Sequence, residues 1–489
     1  MNTTRRQILK VAAAGGAAAG FAGFSTVSHL LAPFYSAIGG DIPAFGSPQA
    51  EPIDEATHFL NRLTFGARPG EYDEIRALGP RVWLEQQLSP SGLDDSWTEA
   101  RVRHFEALNV SPPGELLEYH ARELLDQMTR VKILRAVHSR RQLQEVMVDF
   151  WSDHFNIDPS KGDSKWLQPD HEKNVLRTHV LGNFRDLLKA SALSPSMLWY
   201  LDGRVNRKVL PEDKPNENYG RELLELHTLG VNGGYTQDDV MEAARCLTGW
   251  TVRSRSENRF AVGKVSFDAA LHDDAPKRVL GIDIPAGLGA GDLDRLLDIL
   301  CRHPSTARYL AGKLCRRFIS DEPPTSAVAG VAQAFTETSG DIPKTLRALF
   351  GTHEFLAARG QKVKRPFHFV VSALRASAAR TDAGPALQNY LLRMGQAPWQ
   401  YPTPDGYPEE AQPWMATLIW RWKFAAQFAA GGVKGTQFNS ARLLKSAGGP
   451  QAMASHFLGR SPSPAEASAL HASSNNLGLL IASPSFQTF

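Results

Sequence analysis

At 489 residues the chain exceeds the usual span of one hydrophobic core, and its 42% apolar content can bury one large domain or two closely packed ones. A formal charge of +3 is small for this length, and no lysine- or arginine-rich run marks the clustered cationic face that nucleic acid requires. Cys246, Cys301 and Cys315 lack the spacing of a zinc or iron–sulfur site. Fourteen residues of continuous helix would hold Cys301 and Cys315 about 21 Å apart, too far for a disulfide, so buried free thiols are expected.

Residues 1–37 read as a targeting segment. Arg5 and Arg6 are followed by Gln7, Ile8, Leu9 and Lys10, then by an alanine- and glycine-rich apolar stretch to about Leu31, with no acid before Asp41. This is the pattern of a twin-arginine export signal. Alanine and glycine gain little from a hydrocarbon phase, so a cleaved signal fits better than a permanent spanning helix. The expectation is a periplasmic or secreted protein that meets the membrane only through this segment, with the twin-arginine translocase as partner.

A Pro- and Gly-bearing linker, residues 38–52, leads into a chain dominated by helical periodicity, so the fold class is mainly α. Residues 53–360 read as a main helical domain and residues 361–489 as a C-terminal helical region packed on it. In the segment 147–155, helical projection puts His154 among Leu143, Met147, Phe150 and Trp151 on the apolar side. A buried imidazole must hydrogen-bond or ligate something, and so needs a partner from another segment. It is either a satisfied core histidine or part of a site.

The most distinctive stretch is residues 216–230, a helix with asparagine caps at its start and Gly230 at its exit. Tyr219, Leu223 and Leu226 share its apolar stripe, while Asn218, Glu222 and Glu225 fall along the border. Two carboxylates three apart can bind a hard cation, or split their pKa values so that one serves as acid and the other as base. The alternative is an ordinary Arg221–Glu225 surface pair beside a histidine, His227, that complements the helix dipole. The stripe is also the candidate partner for His154. After Asn232-Gly233-Gly234, Thr236 and Asp239 make a capping signature for a second helix that buries Val240, Met241, Ala244 and Leu247.

Between about 250 and 284, short β-like pieces (Trp250-Thr251-Val252, Phe260-Ala261-Val262, Val265-Ser266-Phe267 and Val279-Leu280-Gly281) predict a small inserted sheet. His272 and Asp273 follow in a loop, where a histidine beside acids can coordinate a cation or orient a proton shuttle, or simply be a solvated turn. Residues 361–365 form a basic, proline-ended connector. Beyond it, Trp399, Tyr401 and Tyr407 sit among prolines in a loop that cannot be regular helix, either an anchor packed on the core or a binding lip. Trp414, Trp420 and Trp422 read as core or interface anchors. No nucleophile elbow, phosphate-binding glycine loop, His-Glu-x-x-His zinc motif or dinucleotide fingerprint is present.

With these residues in view, the chain resembles a bacterial family known only as domain of unknown function 1800. The likeness rests on residues 58–66, Phe150-Trp151 with His154-Phe155, residues 182–188, Leu201-Asp202, residues 216–230, residues 234–250, residues 303–308 and residues 362–367. The resemblance implies an exported, mainly helical protein, commonly encoded beside a phosphatase- or sulfatase-like partner family, and carries no established reaction. Ser152-Asp153 stand where many members have His-Asn before the matching histidine, which removes a second imidazole beside His154. Gly203 follows Asp202 where asparagine is usual.

The sequence therefore supports a carboxylate- or metal-dependent hydrolase of the cell envelope. Glu222, Glu225, His154 and Arg221 are its catalytic candidates, and Glu222, Glu225, Asn218, His154, His272 and Asp273 are candidate ligands for a divalent metal. The competing reading is a non-catalytic envelope assembly or binding protein.

Overall fold

The computed structural model describes residues 42–109, 113–253, 261–473 and 476–489. The targeting segment and Phe260 lie outside them. Helices account for most of the described chain, and the strands are two or three residues long, so the fold is mainly α with small β pieces. No described helix is long and apolar enough to cross a membrane.

Amphipathic periodicity sets the packing. In the helix Pro304–Phe318 the buried residues Ala307, Leu310, Ala311, Leu314 and Phe318 recur every three or four positions. That helix packs along Thr325–Glu337, which in turn packs on Ile342–Phe350. Helix Gln142–His154, by contrast, is buried on nearly every side. The main hydrophobic core draws on both sides of the expected boundary near 360: Phe65 meets Phe367 across it, ring edge to face. The connector 361–365 is no free linker, because Lys362 and Phe489 exchange backbone hydrogen bonds and Lys364 N–H donates to the Gln487 carbonyl.

The distinctive block forms the helix Asn218–Glu225, shorter than expected. Its carbonyls turn away from α-helical pairing because the Thr228 hydroxyl donates to Leu223 O at 2.6 Å and Leu229 N–H reaches Leu224 O. Gly230 then exits with φ +82°. The following helix, Gln237–Cys246, begins with the expected capping box of Thr236 and Asp239. The two helices touch at Gly220, where a Cβ would lie 2.9 Å from both Val240 O and Ala244 N, so only glycine permits the approach.

The β insertion is two antiparallel ribbons, Trp250–Val252 with Val265–Phe267 and Lys277–Val279 with Ile282–Ile284. Leu280 and Gly281, expected to extend a strand, instead make the turn between the last two, with φ of +50° and +77°. Two consecutive positive φ values match the twist of a tight hairpin.

Candidate functional site

The His154 ring is buried, and burial holds its pKa well below the usual imidazole value, so it is neutral. Its Nε2 lies 3.2 Å from the carbonyl of His227 and its Nδ1 lies 3.1 Å from Lys313 Nζ. A carbonyl can only accept, so Nε2 carries the proton and Nδ1 accepts from the lysine. The predicted partner stripe, Asn218, Glu222 and Glu225, is therefore not what satisfies His154. With both ring nitrogens occupied, His154 has no lone pair left for a metal.

Lys313 sits on the helix Pro304–Phe318, at the margin of its buried stripe. Among the described residues no carboxylate lies within ion-pair distance of its ammonium. Burial lowers its pKa to about 8, against the opposing pull of the more distant Asp153, Glu409 and Asp405. It faces a cleft of about 250 Å³ lined by Phe150, Asp153, Arg316, Tyr401, Asp405 and Tyr407, with Glu409 and Glu410 at the edge.

The wall opposite the lysine is the proline-rich loop, held in place at many points. Asn156 Nδ2 donates to the carbonyls of Tyr401 (2.9 Å) and Thr403 (2.7 Å), and the Tyr407 hydroxyl donates to Ala397 O at 2.7 Å. Gly406, at φ +75°, lies so close to the end of helix Gln142–His154 that a Cβ would stand 2.1 Å from Asp153 O. Trp399 is buried as an anchor beside Lys132, with the ammonium 4.6 Å from the ring centre, while Tyr401 and Tyr407 line the cleft.

Beneath the cleft lies a buried charge network. Asp149 accepts from Lys132 at 2.8 Å and from Arg317 at 3.1 Å, and it pairs with Arg365, which also meets Asp153 at 2.6 Å and Glu409 at 3.4 Å. Burial alone would raise Asp149, yet Lys132, Arg365 and Arg317 outweigh it and keep the carboxylate ionised. Burial pushes Asp153 up to about 6, aided by Asp149 and Glu409 and opposed by Arg365. Arg365 and Glu409 come from the C-terminal region and Asp149, Asp153 and Arg317 from the main domain, so the network ties the two together.

The predicted stripe is not part of the cleft lining and meets it only through the charge of Asp405. Glu222 is half-buried, and burial raises its pKa, with further raising from Glu225 and Asp405. Asp405 thus lies within electrostatic reach of both Glu222 and Lys313. Tyr309, whose ring packs over Gly230, feels both Asp405 and Glu225. Tyr235 donates its hydroxyl to Glu225 at 3.2 Å, and Asn218 spends its amide on Leu201 O at 3.1 Å. Arg221 does not pair with Glu225; it reaches back to Glu217 at 3.1 Å and across to Gln237 at 2.8 Å. His227 lies beyond the helix end, buried, and neither ring nitrogen has a hydrogen-bond partner among the described residues.

His272 and Asp273 belong to a different place. His272 Nδ1 is 2.9 Å from Thr248 O, its Nε2 is 3.1 Å from Asp292, and Lys277 closes the Asp292 pair. Asp273 is held by Arg245 at 2.8 Å. None of these partners belongs to the Lys313 cleft, so the structure does not bring the six predicted ligands together. Among the described residues no three His, Cys, Asp or Glu side chains converge in a metal-holding arrangement.

Sequence reasoning missed Lys313, Asp405 and Glu409. A lysine at the margin of an apolar stripe normally extends its stem along the core and its head to water, so its position alone carries no signal.

A mainly helical chain with a lysine–histidine pair in an acid-lined cleft is the class this architecture defines. Residues 58–488 match the family described as Protein of unknown function (DUF1800), and the chain belongs to that family. No curated protein matches it. No solved structure does either.

Proposed function

We propose that the protein is exported by the twin-arginine route and acts in the cell envelope as a carboxylate-driven hydrolase centred on the Lys313 cleft. The observation that carries this reading is the Lys313–His154 contact: a cation with no carboxylate in ion-pair distance among the described residues, held by a neutral imidazole in a cleft that Asp405 also lines, with Glu222 within electrostatic reach of Asp405. Groups with perturbed pKa values gathered in one cleft are the signature of proton-transfer chemistry.

Lys313, whose pKa burial lowers to about 8, serves as proton donor to the leaving group, and Glu222, whose carboxyl burial raises, serves as base toward water. His154 positions the ammonium without sharing its charge. A cleft of about 250 Å³ suits one sugar- or amino-acid-sized unit of a longer polymer, with Tyr401 and Tyr407 as its apolar faces.

The test is release of soluble product from isolated cell-envelope material by the purified protein. Turnover lost in Lys313→Met and in Glu222→Gln supports the reading. Absence of turnover, or turnover indifferent to both changes, favours a non-catalytic binding role for the same cleft. Export is tested separately: Arg5→Lys/Arg6→Lys should leave folded precursor in the cytoplasm, and unchanged export would remove the assignment to the envelope.

A further inference from the structure

The C-terminal segment carries a surface that the cleft chemistry does not use. Helix Leu418–Ala429 buries Arg421, Phe424, Ala425 and Phe428 and turns its other face outward. There Ile419 is 55% and Trp422 54% exposed, and their spacing of three puts them on one stripe. Met415, also exposed, ends the preceding short helix Gln412–Met415. Leu392, on the adjoining helix Pro385–Arg393, is exposed beside it.

Trp422 is also one wall of an apolar groove of about 390 Å³, whose other walls include Leu458, Leu470, Leu479, Leu480 and Pro484. The one acid at its edge, Glu466, is neutralised by Arg460 at 2.8 Å and accepts from Ser485. That bridge, with its hydrogen bonds, holds the Glu466 pKa down to about 2.

Residues 411–489 contain Lys423, Lys434, Arg442 and Lys445, besides the buried Arg421 and the Glu466-paired Arg460, against the single acid Glu466, and the exposed Asp382 packs on Gly435 beside Lys434. Lys423, Lys434 and Lys445 are exposed. Arg393 and Lys423 flank the Trp420 ring from 4.6 and 4.5 Å, so cations border the apolar stripe directly. Exposed aromatic and aliphatic side chains ringed by lysine and arginine fit the interface of an anionic bilayer, where the rings enter the headgroup layer and the cations meet phosphate. A protein partner would be expected to bring acids, but the groove itself offers almost no polar group to meet them.

We infer that the face formed by Met415, Ile419 and Trp422 docks on anionic phospholipid, with the adjoining groove taking an acyl chain, so that the folded protein sits on the membrane surface independently of its leader. The occupant is the bilayer surface; a second copy of the chain is the rival, and the test separates them.

The full-length chain is mixed with phosphatidylglycerol vesicles carrying brominated acyl chains, and tryptophan quenching is read. Residues 1–41 contain no tryptophan, so the signal comes from residues 42–489. Expected results are quenching that weakens with salt, is absent with brominated phosphatidylcholine, and is mostly lost in Trp422→Phe. In Ile419→Glu, at an exposed position that leaves the core intact, partitioning should fall by about tenfold or more. Any of three results overturns the inference: no quenching, equal quenching by both lipids, or quenching untouched by Ile419→Glu. Self-association without vesicles that Ile419→Glu abolishes would likewise overturn it and make the face an interface between copies.

Discussion

Two histidine–acid clusters in this molecule look alike as residue types and differ in how completely they are paired. In the β insertion, His272, Asp292, Lys277, Asp273 and Arg245 each find a partner of opposite charge or a backbone group. Around His154 the pairing stops at Lys313, which faces a cleft lined by Asp153 and Asp405 but has, among the described residues, no carboxylate within ion-pair distance. A closed network holds a fold; one left open at a cleft has a proton or a charge to offer a ligand.

That contrast is broken or sharpened by single substitutions. The largest effect is expected for Lys313→Met, which should lower turnover of envelope substrate by about 10²–10⁴-fold, the usual weight of a general acid, while leaving the fold as stable or more so. The stability part has a definite sign. Folding lowers Lys313 from 10.5 to about 8, so between those values the unfolded chain binds more protons and stability rises with pH. The variant should lose that rise in denaturant titrations.

Next comes Asp149→Asn. It leaves Lys132, Arg317 and Arg365 buried with their shared counter-charge removed, and should cost about 3–5 kcal/mol in equilibrium unfolding. A loss below 1 kcal/mol would mean that Asp153 and Glu409 suffice for the three cations. His272→Ala, in the closed cluster, should cost about 1–3 kcal/mol of stability by orphaning buried groups, with turnover retained. Loss of activity there without loss of stability would erase the distinction between the clusters. The smallest effect belongs to Arg221→Ala. Its half-exposed pair with Glu217 is worth well under about 1 kcal/mol, and activity should persist.

Turnover itself should follow a bell in pH. Glu222 must be ionised, which sets an acid limb above the ordinary carboxylate range. Lys313 must be protonated, so the alkaline limb falls as pH rises through about 8. In Lys313→Arg the alkaline limb should move out of reach, because guanidinium does not deprotonate.

How far the sequence reveals this molecule depends on the range of the interaction. Local signals read well: the Thr236–Asp239 capping box, the exit at Gly230 and the β pieces near 250 and 265 all depend on neighbours a few residues apart. The burial of His154 was likewise visible in helical projection. Its partner was not, since Lys313 lies 159 residues away on another helix. The pairing of Arg221 failed for a related reason: Glu217 and Glu225 are equally spaced from it, and Gln237 on the neighbouring helix decides between them. Asp149 shows no sequence sign of its network, because Arg317 meets it from 168 residues away and Arg365 meets it from the C-terminal region.

The central claim is that Lys313 is a cation of lowered pKa, open to the cleft. Competitive acylation of the folded protein across pH, with each lysine read by peptide mass spectrometry, tests it directly. The account predicts that Lys313 is modified with a midpoint at about 8. A Lys313 that titrates with the surface lysines, or one that resists modification until the protein unfolds, would contradict it.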